Sequence, residues 1–223
     1  MAVRGAPEPN LRIELTIDHR QSLKSAAGRL HSEFADTFDA GTIEPLLYSS
    51  YDQFAAHATV HDFLPLLAER FARQRLRALV RVKGKSTEGT PVVLFLCNHN
   101  AGRSQMAMGF FTHLAGEAAV AWSGGSKPRN EINPEVIAAM AERDIDITGE
   151  YPKPWTDEIV QAAEVVIDLG CGDAPPTLPG RRYEQWNFDD PDGKDLPAVR
   201  TIRDEVEHRV RRLLAELGIA ACA

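Results

Sequence analysis

The sequence predicts an α/β domain, a four-stranded parallel sheet flanked by helices, preceded by a small three-helix bundle. Two textures of apolar spacing carry this prediction. Up to about residue 82, apolar residues recur at helical intervals in three successive runs; from Pro91 onward, short apolar runs alternate with amphipathic helical stretches. Between them lies Lys83-Gly84-Lys85-Ser86-Thr87-Glu88-Gly89, polar, glycine-bearing and unpatterned. A boundary there gives residues 1–88 as a helical domain with its linker and residues 89–223 as the α/β domain.

Residues 1 to about 18 read as a loose lead. From His19 to Phe38, Leu23, Ala27, Leu30, Phe34 and Phe38 mark one helical face, with Gly41 as a stop. Thr42 can cap a second helix, Pro45 being tolerated in its first turn, with Ile43, Leu47, Tyr51, Phe54 and Ala58 as its stripe. Thr59 can cap a third, carrying Val60, Phe63, Leu64, Leu67, Phe71, Ala78 and Val82. Short links between three amphipathic helices favour a bundle. Its basic run, Arg70, Arg73, Arg75, Arg77, Arg81, Lys83 and Lys85, spreads around the third helix and reads as a solvated surface rather than a DNA-reading face. His57 and His61, four apart with no third ligand evident, read as a structural or surface pair, so no metal site is expected.

In the second region Val92 to Leu96 is apolar throughout, as in a strand buried on both faces. Ser104 opens a helix with Met106, Ala107, Phe110, Phe111 and Leu114 inward. A short strand, Ala118 to Trp122, ends in the turn Ser123-Gly124-Gly125. Asn133 caps a helix with Pro134 at its first position and Val136, Ile137 and Met140 inward. Thr156 caps a short helix to Ala163, and Val165 to Leu169 and Tyr183 to Phe188 are further strands. The last helix repeats Val199, Ile202, Val206, Val210, Leu213 and Leu217 before Gly218.

Cys97 follows the first strand, and five residues separate it from Arg103. A Cys-x5-Arg loop between a strand end and a helix start is an anion cradle. Successive main-chain N–H groups line one concavity, and the helix N-terminus adds positive potential. Arg103 can fork two oxygens of a tetrahedral oxyanion while Cys97 lies beneath its central atom as nucleophile. The same field is expected to hold Cys97 as a thiolate. In parallel sheets ligands sit beyond the strand carboxyl ends, where Cys97, Cys171 and Asp190 can converge.

Bulk composition limits the setting. The formal net charge of −7 argues against general nucleic-acid binding, so any anion site must be local. No membrane-length apolar run and no signal-like start appear, and the cysteines Cys97, Cys171 and Cys222 lack framework spacing. A cytoplasmic protein with reduced thiols is expected.

Cys97-x5-Arg103-Ser104, its early place in the domain, and the late Asp190-Pro191 resemble the low-molecular-weight protein tyrosine phosphatase fold. The segments CNHNAGRSQMA, LGCGDAPPTLPGRRYEQW and FDDPDG look like the arsenate reductases built on that fold, in an actinobacterial thioredoxin- or mycothiol-linked branch. The resemblance covers roughly residues 90 to 218, and the leading helical domain looks like an extension of some members. It implies Cys97 as nucleophile, Arg103 as oxyanion clamp, and a substrate loop of Asn98, His99, Asn100, Ala101, Gly102, Arg103 and Ser104. Within that loop Asn100 would shape the chain and Ser104 would hydrogen-bond the Cys97 sulfur. Asp190 would be the general acid, with Asp189 its rival.

The resemblance also implies arsenate as substrate, no bound cofactor, and an external reductant, thioredoxin or mycothiol with mycoredoxin. Cys171 would be the second thiol. Where relatives with a three-cysteine relay carry another cysteine, Ala174-Pro175-Pro176 stands here. Three routes stay open: a Cys97–Cys171 disulfide, a mixed disulfide with a small thiol, or participation of Cys222. The competing functions are a phosphomonoesterase and an anion-binding sensor with a partner-binding helical domain. Against the former, Asp192-Gly193 replaces the aromatic pair that walls an aryl ring in the phosphatases.

Overall fold

A computed structural model describes residues 16–56, 58, 61–84, 89–173 and 175–222. By internal contacts the chain divides into two compact units, Met1–Leu76 and Arg77–Ala223.

The described part of the first unit is helical, and its last helix runs on past Leu76 into the second unit. α1 (Ile17–Phe34) is capped by Thr16, whose hydroxyl accepts from His19 N–H, and buries Leu23, Ala26, Leu30 and Phe34. α2 (Ala40–Ala55) begins earlier than Thr42 suggested. Asp39 is the cap, its carboxylate accepting from both the main chain and the hydroxyl of Thr42. Gly41 therefore lies inside the first turn rather than stopping α1, and Pro45 falls in the second turn. α3 (Leu64–Val82) buries Leu64, Phe71 and Ala78, but Phe63, expected inward, precedes the helix and is 65% exposed. Val82, also expected inward, is exposed at the other end. Thr59, Val60, His57 and Lys85 lie outside the described residues.

The basic run is not simply solvated. Arg73 pairs with Glu33 and Glu69, and Arg29 forks the same Glu69. Arg75 is buried, donating to the hydroxyls of Ser49 and Ser50. Because these residues point around the helix, several meet neighbouring helices and serve as ties.

In the second unit β1 (Val92–Cys97), β2 (Val120–Gly125), β3 (Val165–Asp168) and β4 (Arg182–Gln185) form one parallel sheet in the order β2-β1-β3-β4. β1 is buried at every position. Val93, Phe95 and Cys97 share a core with α4 (Arg103–Ala115), α5 (Pro134–Ala141) and α7 (Leu196–Glu216), while α6 (Asp157–Ala162) packs against β1 separately. All five inward residues expected on α4 are buried. Asn133 and Asp195 cap α5 and α7 as short polar side chains should, and Thr156 precedes α6 without a side-chain cap bond.

One strand differs in kind from its expectation. Ser123-Gly124-Gly125 is not a turn but the end of β2, with Gly124 and Gly125 beside Leu96 and Cys97. A Cβ on Gly125 would stand 2.8 Å from Asn98 O and 2.9 Å from Asn100 N. Gly125 lets the loop after β1 lie against the sheet edge, while Gly124 makes room for the main chain of Trp155.

Arg203 ties α7 to α5. It is 5% exposed, donates to Ala139 O (2.8 Å) and Glu142 (2.8 Å), and pairs with Asp204. Hydrogen bonds from Arg200 and then Arg203 bring the Glu142 carboxyl down from 4.5 to about 2. A carboxylate held low contributes stability above its unfolded value and loses it as pH falls toward its folded one. Arg203→Ala, which strands the buried Ala139 carbonyl, is expected to lower the unfolding free energy in urea by about 1–3 kcal/mol at pH 7. The gap from wild type should narrow as pH is taken from 4.5 down to 2.

Candidate active site

β1 carries Cys97 to the carboxyl edge of the sheet between β2 and β3, where consecutive connections run to opposite sides. That is the topological switch point, where a crevice opens outside the strand ends. Residues 98–102 cross it and lead into α4, whose N-cap is Gly102.

Asn100 sets the shape of this loop. It is fully buried with φ +48°, a left-handed conformation that asparagine tolerates better than most side chains. Its Nδ2 donates to Ser104 Oγ (2.9 Å), and its Oδ1 accepts from Lys153 N–H (2.9 Å). Its main-chain oxygen accepts from Gln105 Nε2 (2.9 Å). Ser104 Oγ lies 3.0 Å from Cys97 Sγ. With the Asn100 amide donating to that oxygen, the hydroxyl proton is available to the sulfur.

The loop's main chain is polarised. Asn98 O accepts from Lys127 N–H (2.8 Å), His99 O from Arg129 (3.1 Å), Ala101 O from Asn133 (3.0 Å) and Gly102 O from Met106 (3.0 Å). Among the described residues, the N–H groups of 99 to 103 donate to no protein acceptor. Engaged carbonyls and unpaired amides at a helix N-terminus make an anion nest.

Arg103 completes it. Its side chain is 11% exposed, NH2 donates to Asp190 Oδ2 (2.6 Å), and Nε is buried without a partner. Gly170, at φ +91°, leaves room for the guanidinium, since a Cβ there would lie 2.8 Å from Arg103 NH1. Asp190 follows β4 and lines the same pocket as Cys97, whereas its rival Asp189 is largely exposed and pairs with Lys194. The pocket is lined by Cys97, His99, Ala101, Gly102, Arg103 and Asp190, with Arg129, Asn133, Pro191 and Asp192 at its rim. Asn100 and Ser104 support the loop from beneath. Asn98 is turned aside, accepting from Ser126 Oγ (3.0 Å) and lying near Gly172.

Cys171 also reaches this edge. It follows β3, is 8% exposed, and its N–H donates to Asp168 Oδ1 (2.6 Å), as does that of Gly170 (2.9 Å). Burial pushes the Cys171 thiol up; a Ser126 hydrogen bond opposes this, and negative charge at Asp168 and Cys97 adds to it. Both cysteines are free thiols. Cys222 lies elsewhere. Its N–H donates to Leu114 O (2.8 Å), placing it at the C-terminal end of α4. At 1.5 Å per residue α4 sets it about 20 Å from Cys97, too far for a tail so tied to deliver its sulfur.

Sequence reasoning missed Gln105, Asp168, Gly170, Arg129 and Asp192. Asp192 stood in the FDDPDG segment, but no local pattern tied it to Arg129, 63 residues away.

Residues 92–220 match the family model described as low molecular weight phosphotyrosine protein phosphatase, and residues 23–80 match one described as a protein-tyrosine-phosphatase-like N-terminal domain. The chain is 40% identical over 130 residues to a Synechocystis glutaredoxin arsenate reductase, covering 56% of this chain and 98% of that one. It is 36% identical to arsenate reductase 1 of Staphylococcus haemolyticus over 53% of this chain and 91% of the relative. Among solved structures, the thioredoxin-dependent arsenate reductase of Corynebacterium glutamicum superposes with a TM-score of 0.82 at 38% identity, covering 90% of this chain and 98% of that one.

Asn100→Ala removes the donor to Ser104 and strands the buried Lys153 N–H. The expected result is a loss of about 1–3 kcal/mol in urea unfolding, with slower alkylation of Cys97 by iodoacetamide. Unchanged values for both would show that this side chain does not hold the loop.

Proposed function

The chain belongs to the low molecular weight phosphotyrosine protein phosphatase family, and from that membership and the site we propose that it is a thiol-dependent arsenate reductase. The observation that carries this reading is a second reduced cysteine, Cys171, at the same sheet edge as the Cys97 nest. A phosphatase needs only water to finish its reaction, but a reductase needs another thiol. Support comes also from the relatives named as arsenate reductases, one of them thioredoxin-dependent over nearly the whole of this chain.

Arsenate enters the nest, its oxygens accepting from the amides of residues 99–103 and from Arg103. It displaces Asp190 from the guanidinium, and the freed carboxylate takes the acidic proton that the arsenate monoanion brings in, becoming the general acid. The Cys97 sulfur attacks arsenic, an arsenic–oxygen bond breaks, and the departing oxygen leaves as water with the proton from Asp190. The Cys171 thiolate then attacks the Cys97 sulfur. The sulfur–arsenic bonding pair stays on arsenic, which leaves as arsenite, and a Cys97–Cys171 disulfide remains. An external thiol reductant regenerates both thiols.

For that reductant we favour a dithiol protein of the thioredoxin class; mycothiol with mycoredoxin is the alternative donor. Cys222 takes no part. The 1–88 and 89–223 division is proposed as the domain boundary, in keeping with the separate family matches at 23–80 and 92–220.

Cys97→Ser is expected to abolish arsenite release with every donor. Cys171→Ser should lower the thioredoxin-coupled rate at least a hundredfold; full activity of that variant with a small thiol would eliminate the internal disulfide. Because the Cys171 thiol is held above its ordinary value, disulfide formation in a single turnover should speed up about tenfold per pH unit between 7 and 8. A flat profile, followed by stopped-flow quenching and thiol counting, would remove Cys171 from the resolving step.

A further inference from the structure

We propose that Arg129 and Asp192 form a gate over Cys97 that admits a free tetrahedral oxyanion and turns away phosphate esters. This specificity role rests on the arsenate-reductase reading. The two side chains make a bidentate pair across the pocket rim, Arg129 NH1 to Asp192 Oδ1 and NH2 to Oδ2, each 2.6 Å. A fork of this geometry is directional as well as charged.

Both ends of the gate are fixed to the parts of the site that it would govern. The Arg129 N–H donates to His99 O (3.1 Å), so one side is anchored on the anion loop. On the other side, Asp192 N–H donates to Asp190 Oδ1 (3.2 Å), and Asn133 Nδ2 donates to Pro191 O (3.3 Å). Pro191 packs over Gly102, its Cγ 2.5 Å from where a Cβ would be, and closes the segment onto the loop. The acid-bearing segment and the anion loop are thus joined by the ion pair itself.

The direction of the chemistry gives this pair its consequence. In-line attack places the leaving oxygen opposite the Cys97 sulfur, on the side of Asp190. In arsenate that oxygen carries at most a proton, so nothing beyond it has to extend past the Arg129–Asp192 pair. In an ester the same oxygen carries carbon, which must leave the pocket between the Asp190 segment and the loop of residues 126–131. Arg129 and Asp192 both line the pocket, and their fork joins those two segments there. An ester therefore has to break the fork, and a free oxyanion does not.

The test uses the full chain with Arg129→Met, Asp192→Ala and the double variant. With p-nitrophenyl phosphate, the Cys97 sulfur bonds to phosphorus, the phosphorus–oxygen bond breaks and nitrophenol leaves with the Asp190 proton, giving a burst of one equivalent. Water later hydrolyses the thiophosphate adduct and restores the thiol. The burst rate constant, divided by the iodoacetamide alkylation rate of Cys97, is expected to rise at least tenfold in each single variant. The double variant should gain no more than the larger single gain, since the two act as one pair. The ratio of kcat/KM for the aryl phosphate to that for arsenate should rise similarly, a shift that mere loosening of the site would not produce. Unchanged ratios overturn the gate. Absence of arsenite from wild type with any donor overturns the reductase reading instead, and the normalised burst still decides the gate.

Discussion

The shape of the Cys97 loop depends on one buried asparagine held in a left-handed turn. Asn100 satisfies Ser104 with its amide, receives Lys153 with its carbonyl, and lends its main-chain oxygen to Gln105. Those bonds fix the loop so that its carbonyls are engaged by neighbouring amides and the N–H groups of residues 99–103 are left over. Unpaired donors in a folded chain are costly unless water or a ligand receives them. Here they are concentrated beside Cys97 at the head of α4, and satisfied hydrogen bonds beneath the loop keep them unsatisfied above it.

The scaffold fixes where this happens. A strand buried on both faces ends at the point where the parallel sheet reverses its winding, and α4 starts from the loop that follows. The chain is acidic overall, yet the pocket's two guanidiniums, Arg103 and Arg129, are each answered by an aspartate of one short segment. Positive charge is thereby stored in pairs until an anion arrives. In the proposed mechanism the anion competes for Arg103 against Asp190, so recognising the substrate and releasing the acid become one event, and the proposed gate assigns the second pair to what the substrate carries behind it.

Much of this was legible because it is local. Cysteine, arginine and serine at fixed offsets between an apolar run and an amphipathic helix require a strand–loop–helix, and the structure sets Cys97 3.0 Å from Ser104. The helical faces of α4 and α7 followed from spacing alone, as a 3.6-residue period needs no knowledge of partners. Misreadings arose where a local signal was overruled from a distance. Ser123-Gly124-Gly125 has turn composition, but at the end of a strand Gly125 admits the Asn98–Asn100 main chain and Gly124 that of Trp155. Thr42 is a competent cap, but Asp39 reaches its amide first. The basic run looked solvated because nothing local showed that Glu33, Glu69, Ser49 and Ser50 would meet it.

By itself, then, the sequence determined the order of elements and the strand–loop–helix that carries Cys97 and Arg103, since these reside in offsets of a few residues. Only the folded chain decided which aspartate faces Arg103, that Cys222 is tied to the far end of α4, and that Arg129 closes on Asp192. Each of those depends on segments tens of residues apart being brought within hydrogen-bond distance. Strand order and helix packing set such distances, and no local period records them.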